Sequence, residues 1–89
     1  MIQLLDFYAD WCTPCKTMEP VIDDLKKQEK KLNIKVSKID VDEWRSIRDK
    51  YGVMSIPTLV ILKDDKELKR FVGVTSKEDI IKVLVGLTN

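Results

Sequence analysis

Apolar and polar positions alternate along the chain in a pattern that predicts four strands and three helices. Short apolar runs typical of strands occupy residues 2–8, 34–41, 58–62 and 67–72. Segments with apolar residues three, four and seven positions apart, which suit amphipathic helices, follow the first, second and fourth of these runs. We therefore predict the order β-α-β-α-β-β-α in a single α/β domain over residues 1–89.

Individual residues mark where the predicted helices begin, bend and end. The first helix starts at Cys12 and contains Pro20, which should kink it because proline lacks an N–H and crowds the preceding turn. Asp42 is the expected N-cap of the second helix, and Gly52 its C-terminal stop. Ser76, with an acidic residue three positions later, is expected to open the last helix.

The composition excludes several classes of function. Sixteen Lys+Arg against fifteen Asp+Glu give a net charge of +1, so the clustered basic charge typical of nucleic-acid and acidic-membrane binding is absent. No apolar run approaches the roughly 18 residues of a membrane span, and residues 1–6 lack the basic region of a secretory signal. We expect a cytoplasmic protein with no nucleic-acid and no membrane partner.

Cys12 and Cys15 carry the candidate chemistry, because the chain has no other cysteine and no histidine. Cys12 directly follows a predicted strand and opens a helix, where free N–H groups and the helix dipole favour a thiolate. Lys16 adds a nearby positive charge. Cys15 lies one turn deeper and is expected to be more buried and less ionised. We predict that Cys12 attacks a substrate disulfide and that Cys15 resolves the mixed disulfide.

A zinc site is the main alternative interpretation of two cysteines at this spacing. Zinc usually takes four cysteine or histidine ligands, and this chain offers neither a third thiol nor an imidazole. A metal site would therefore require two copies of the chain, and we predict no metal within one copy.

Residues 6–16, Asp-Phe-Tyr-Ala-Asp-Trp-Cys-Thr-Pro-Cys-Lys, resemble the active-site stretch of thioredoxins, whose usual form is D-F-W-A-x-W-C-G-P-C-K. Further matches occur in register along nearly the whole chain, at Pro20, Lys38-Ile39-Asp40-Val41-Asp42, Tyr51-Gly52-Val53, Ile56-Pro57-Thr58 and Val72-Gly73. The resemblance implies a thioredoxin fold with a four-stranded mixed sheet flanked by helices. It also implies a reductase of protein disulfides that uses a Cys12–Cys15 disulfide and no other cofactor.

The resemblance assigns roles to further residues. Asp6 corresponds to the family's buried acid, which relays a proton to or from Cys15 through water, and Lys38 to the lysine beside it. Pro57 corresponds to a cis-proline facing the cysteines, in a loop whose backbone pairs with an extended substrate segment. The substrate surface is implied to comprise Trp11, Thr13, Pro14, Ile56, Pro57, Val72 and Gly73. The implied partners of this monomer are disulfide-containing proteins and a thioredoxin reductase or similar upstream reductant.

Three features depart from the family pattern. Thr13 replaces the usual glycine between the cysteines, a place that tunes the redox poise, and Tyr8 replaces a tryptophan. The chain also begins at the strand that leads into the motif, which resembles short thioredoxins and glutaredoxin-like proteins that lack the leading strand and helix. Residues 34–41 should then form an edge strand, blunted by Lys35, Ser37 and Lys38.

Two other functions on the same fold stay open at this point. Thr13 allows a disulfide oxidase or isomerase, although the missing secretory signal argues against the oxidising compartments where stable disulfides form. A binding module or subunit is the other, with the apolar surface around Ile56 as its interface and the thiols incidental.

Overall fold

The computed structural model describes residues 1–88, and its elements follow the predicted order with one addition. The strands and helices are β1 (Ile2–Tyr8), α1 (Thr13–Lys27), α2 (Glu29–Leu32), β2 (Ile34–Asp40), α3 (Arg45–Lys50), β3 (Thr58–Lys63), β4 (Lys66–Val72) and α4 (Lys77–Thr88). The addition is α2, a single turn separated from α1 at Gln28 and ended by Asn33 in the left-handed conformation, φ 56°. The apolar pattern predicts one continuous helix here, because an interruption of one residue at Gln28 does not change the spacing of the apolar residues enough to be seen.

A single mixed sheet has the strand order β2-β1-β3-β4. Strand β1 pairs in parallel with β2, with Leu4 opposite Val36 and Asp6 opposite Lys38. It pairs antiparallel with β3, and β3 and β4 form an antiparallel hairpin. The prediction of a four-stranded mixed sheet with β2 at one edge is thus confirmed. This arrangement places the carboxyl end of β1, where the cysteine motif begins, in the middle of the sheet.

Each face of the sheet carries its own apolar cluster, because successive residues of a strand point to opposite faces. The helix-side cluster, packed under α1 and α4, comprises Ile2, Leu4, Met18, Ile22, Leu25, Ile34, Val36, Leu59, Ile61, Ile80 and Leu84. The site-side cluster comprises Leu5, Phe7, Ala9, Cys12, Cys15, Ile39, Val41, Val53, Val60 and Leu62. The central strands β1 and β3 are mostly apolar along their length because both of their faces are buried.

The helix boundaries confirm one capping prediction and overturn another. Ser76 Oγ accepts the N–H of Asp79 at 3.2 Å, as predicted for the start of α4. Asp42 does not cap α3, which begins at Arg45 after Trp44. Its carboxylate instead accepts the indole N–H of Trp11 at 2.8 Å, a partner that is distant in sequence. Gly52 follows α3 with φ 62°, which suits a glycine after a helix end.

Two helix side chains reach the free edge of β2. The Val36 N–H donates to the Glu29 carboxylate at 2.7 Å, and the Val36 carbonyl accepts from Lys26 Nζ at 3.3 Å. Both backbone groups point away from β1, so side chains occupy positions where another strand would otherwise bond. The exposed Lys35 and Lys38 add charge along the same edge.

Pro20 lies inside α1, while the kink expected there stays a prediction. No helix within residues 1–88 is long and apolar enough to cross a membrane.

Candidate redox site

Cys12 and Cys15 form a disulfide at the amino end of α1, with their Cα atoms 5.2 Å apart. Cys12 is the N-cap of the helix, in extended conformation, and its Sγ accepts the N–H of Cys15 at 3.2 Å. Pro14 lies in the first turn, where no intrahelical N–H bond is required. The sulfur of Cys12 therefore lies where free N–H groups and the helix dipole stabilise a negative charge once the disulfide is reduced.

Cys12 and Cys15 do not differ in burial, contrary to the prediction that Cys15 is the more buried residue. Cys12 is 4% exposed and Cys15 is 5% exposed. What distinguishes them is electrostatic position, because only Cys12 precedes the helix and accepts an N–H from its first turn.

Asp6 is a buried carboxyl on β1, only 4% exposed. Its Oδ1 atom is buried and has no hydrogen-bond partner among the residues that the structure describes. Burial is the main reason why the pKa of Asp6 is raised to about 6; the charge of Lys38 lowers it in part, and the charges of Glu19 and Asp23 on α1 make smaller contributions that raise it. A carboxyl with a pKa this close to neutrality can either give or take a proton under physiological conditions.

Lys38 lies opposite Asp6 in the parallel pairing of β1 with β2. Its Nζ lies 5.0 Å from the centroid of the Tyr8 ring, which is within range of a cation–π contact. No ion pair joins Lys38 to Asp6 within 4.0 Å in the described part of the chain, so the lysine lowers the pKa of Asp6 only through space. Tyr8, one of the departures from the family pattern noted in the sequence, supplies the ring for this contact.

The loop before β3 lies beside the end of β4. The peptide bond between Ile56 and Pro57 is cis, as the resemblance implied. The carbonyl of Pro57 accepts the N–H of Gly73 at 2.8 Å, and Gly73 has φ 91°, a conformation that favours glycine. Val72 precedes it with 63% of its surface exposed. The structure thus joins two of the predicted substrate-binding segments by a backbone hydrogen bond.

Thr13 and Pro14 are exposed in the first turn of α1, and Trp11 is 69% exposed directly before Cys12. The indole of Trp11 is held by its hydrogen bond to Asp42. An exposed aromatic ring fixed in this way offers apolar contact area with little conformational entropy left to lose.

A cavity of about 290 Å³ lies beside Trp11 and was not predicted from the sequence. Among the residues that line it are Trp11, Val41, Asp42, Arg48, Met54 and Ile56. Arg48 and Met54 carry no sequence signal for a site, because they come from α3 and the following loop and meet Trp11 only in the folded chain. Within residues 1–88, no group of three or more His, Cys, Asp and Glu side chains is arranged to hold a metal ion.

Comparison with known proteins agrees with this geometry. A family model described as Thioredoxin matches residues 1–85. Thioredoxin from Bacillus subtilis (strain 168) is 49% identical over 77 residues, which cover 86% of this chain and 73% of the relative. Thioredoxin from Staphylococcus aureus is 46% identical over 84 residues, covering 93% of this chain and 79% of the relative.

Solved structures give the same result. A mutant thioredoxin from Halobacterium salinarum NRC-1 superposes with a TM-score of 0.90 at 38% identity, over 99% of this chain and 75% of that one. A thioredoxin from Nicotiana alata superposes with a TM-score of 0.86, also at 38% identity, over 96% of this chain and 71% of that one. The matched regions include the strand, helix and loop that build the redox site.

Proposed function

Because this chain belongs to the thioredoxin family and is a thiol–disulfide oxidoreductase, we propose that it reduces the disulfides of protein substrates by attack of Cys12 and resolution by Cys15. The observation that carries this proposal is the disulfide at the amino end of α1, with Cys12 Sγ accepting a helix N–H. The enzyme uses its own dithiol as the redox group and needs no added cofactor.

The reaction begins with the Cys12 thiolate, which attacks one sulfur of the substrate disulfide. A Cys12–substrate disulfide forms, and the other substrate sulfur leaves as a thiolate and takes up a proton. Cys15 then loses its proton and attacks Cys12 Sγ, which closes the Cys12–Cys15 disulfide and releases the second substrate thiolate. Two electrons pass from the dithiol to the substrate, so each turnover leaves the enzyme oxidised.

Asp6 is the proposed acceptor of the Cys15 proton, through water. Support comes from its burial, its unpartnered Oδ1 and a pKa raised to about 6, which together give a carboxyl able to exchange protons near neutral pH. Lys38 is proposed to tune this acid by its charge, since it lowers the pKa of Asp6 against the larger effect of burial.

The substrate is proposed to lie as an extended segment against the Pro57 loop, across Trp11, Ile56, Val72 and Gly73, with Thr13 and Pro14 at the edge of the contact. The exposure of Trp11 and Val72 and the hydrogen bond between Gly73 and Pro57 support this placement. Strand addition of this kind takes its affinity from backbone hydrogen bonds and its specificity from side-chain pockets.

Electron balance requires an upstream reductant, because the enzyme ends each turnover oxidised. We propose a reductase of the type that serves thioredoxins, acting on a monomer consisting of one domain over residues 1–89. A reducing compartment such as the cytoplasm suits this cycle, since thiol pools there keep dithiols reduced.

Single cysteine variants test the mechanism. With a disulfide-bonded protein as substrate and a chemical reductant as electron source, Cys12→Ser should abolish reduction. When reduced Cys15→Ser protein is mixed with the same substrate in the absence of the reductant, it should accumulate a covalent enzyme–substrate disulfide, which intact-mass spectrometry detects. Full activity of Cys12→Ser, or the absence of any adduct with Cys15→Ser, would refute the assigned roles.

The reduction potential of the Cys12–Cys15 couple tests the direction of the reaction. Equilibration against graded thiol buffers, followed by alkylation and mass measurement, gives this value. Characterised thioredoxins lie near about −270 mV and a strongly oxidising relative near about −120 mV. A potential near the first value supports a reductase, and one near the second would replace it with an oxidase or isomerase.

A further inference from the structure

The geometry points to the cavity beside Trp11 as a subsite for an acidic side chain of the substrate, bound by Arg48. The enzyme would then favour disulfides whose flanking sequence carries Asp or Glu. This inference rests on the proposed reduction of protein disulfides. It adds a preference for acidic residues near the substrate disulfide, which the two cysteines alone would not produce.

The cavity lies between the two segments that the substrate is proposed to contact. Trp11, which directly precedes Cys12, lines one side, and Ile56, which directly precedes Pro57, lines another. A side chain close in sequence to the attacked cysteine can therefore enter it while the cysteine lies at Cys12. Its volume of about 290 Å³ accommodates one side chain of moderate size.

Arg48 supplies the positive charge of this cavity in a fixed position. Its Nε donates to the carbonyl of Val53 at 3.2 Å, which anchors the guanidinium to the loop after α3. Within residues 1–88, no carboxylate lies within 4.0 Å of the Arg48 guanidinium, and its two terminal amino groups have no hydrogen-bond partner. These groups remain available to bind a carboxylate in bidentate geometry.

Arg70 is a second arginine of this protein, and its guanidinium has a carboxylate partner. Its guanidinium makes two hydrogen bonds of 2.8 Å to Glu67 and a third to the carbonyl of Tyr51. Both arginines are half-buried, yet only Arg70 has a carboxylate partner. The contrast identifies Arg48 as a half-buried cation for which residues 1–88 provide no counter-ion.

Asp42 is the second charge on the cavity wall and opposes an acidic occupant, but only weakly, because its carboxylate is exposed to water. One of its oxygens already accepts the Trp11 indole N–H at 2.8 Å, and the residue is exposed to water. A basic side chain would compete there with solvent for a partly used acceptor. An acidic side chain would meet the unused guanidinium donors of Arg48. Its methylene groups would pack against Trp11 and against Met54, whose side chain is 91% exposed.

Matched peptide disulfides test the inference. Each peptide carries one cysteine, linked to mercaptoethanol so that the leaving thiol is uncharged, and Glu, Gln or Lys at successive positions on either side. The pre-reduced enzyme is mixed with each peptide, and the second-order rate constant of reduction is measured. At low salt we expect the best-placed Glu peptide to react about three- to tenfold faster than its Gln counterpart, and the Lys peptide slowest.

Two arginine variants separate the subsite from general attraction by charge. Arg48→Met should bring the Glu/Gln ratio to about one. Arg45→Met, which removes an exposed arginine from the start of the same helix, should leave the ratio unchanged. Each ratio is formed within one variant, so a general loss of activity cancels. The wild-type Glu/Gln ratio should also fall toward one in about 1 M salt, because charges are screened there within about 3 Å. This measurement needs no variant, so it tests the subsite even if Arg48→Met fails to fold.

A wild-type Glu/Gln ratio near one at every position, or a ratio that survives Arg48→Met, would overturn the subsite. Failure to reduce even the Gln peptides would instead count against the proposed reductase function. The two failures therefore give different results in the same experiment.

Discussion

The two faces of the sheet are built from similar strand residues but are covered differently. The helix-side cluster lies under α1 and α4 and holds most of the largest fully buried side chains, while the site-side cluster contributes Phe7 and Val60. The site side is bordered by the short helix α3 and by loops. It contains the disulfide and, at its border, the cavity beside Trp11. Two helices thus cover one face, while a short helix and loops cover the face that contains the disulfide.

Buried polar groups sharpen this contrast. Thr58 is buried and satisfied, since its hydroxyl donates to the Ser55 carbonyl at 2.7 Å. Asp6 is equally buried, yet its Oδ1 has no partner in the part of the chain that is described. It shares its face of β1 with Leu4 and so introduces an acid at the end of the helix-side cluster. The proposed proton acceptor therefore lies on the well-packed face of the sheet.

The largest stability effect should come from the helix side. Leu84→Ala empties a fully buried position between α4 and the sheet, and should lower the free energy of unfolding by about 2–5 kcal/mol. Leu68→Ala makes the same chemical change at an exposed position of β4 and should cost much less. Urea unfolding of both variants measures the difference, and equal losses would show that the two sites are not distinguished by packing.

Asp6→Asn should stabilise the protein at neutral pH. The folded pKa of about 6 lies above the unfolded value of 3.8, so the stability of the wild type falls as the pH rises between these values. A gap of about two pKa units corresponds to about 3 kcal/mol, of which the variant should recover roughly 2 kcal/mol at pH 7 and nothing below pH 4. Its rate of disulfide reduction at pH 7 should decrease, because the proposed proton acceptor is lost.

Urea unfolding of the oxidised Asp6→Asn protein at both pH values checks this, with Asp49→Asn as a control at an exposed position of α3. A stability gain that is the same at pH 4 and pH 7 would contradict the assignment of a raised pKa to Asp6.

A smaller effect is expected where the helix side reaches the edge of the sheet. Glu29→Ala removes the acceptor of the Val36 N–H and should lower the free energy of unfolding by about 1 kcal/mol. The loss is small because that N–H can donate to water instead. It should also increase self-association, since part of the β2 edge becomes free to pair. Glu29→Gln keeps an oxygen acceptor and serves as the matched variant. Unfolding and sedimentation measure the two effects, and a monomeric Glu29→Ala protein of unchanged stability would show that this contact does not protect the edge.

The smallest effect concerns the charge beside Asp6. Lys38→Met should raise the pKa of Asp6 above about 6, because Lys38 opposes the effect of burial. The change should be modest, since exposed charge pairs contribute about 0.2–1 kcal/mol. Carbon-13 NMR of the Asp6 carboxyl across a pH titration measures it, and Lys35→Met, on the same strand, is the control. An unchanged Asp6 pKa in Lys38→Met would remove Lys38 from the proposed proton path.

Much of the fold and part of the site could be predicted because their signals are local. Apolar periodicity indicated every strand and the three main helices, and the spacing of Cys12 and Cys15 after a strand indicated the redox pair. The assignment of Asp42 as a helix cap was wrong because capping competes with partners elsewhere, and the folded chain offers it the Trp11 indole. The expected greater burial of Cys15 was wrong because the fold covers Cys12, at the very start of the helix, to the same extent.

The amino-acid sequence alone decided the order of the elements and the position of Cys12 at the end of a helix, because both depend only on residue type and spacing. It also decided that no histidine takes part in catalysis, because the chain contains none. The folded structure decided which distant groups meet. Glu29 and Lys26 reach the backbone of Val36, Gly73 bonds to Pro57, and Arg48 faces the same cavity as Trp11. Such contacts depend on how the helices and loops pack on the sheet. Residue type and spacing do not indicate them, because the residues involved are far apart in sequence.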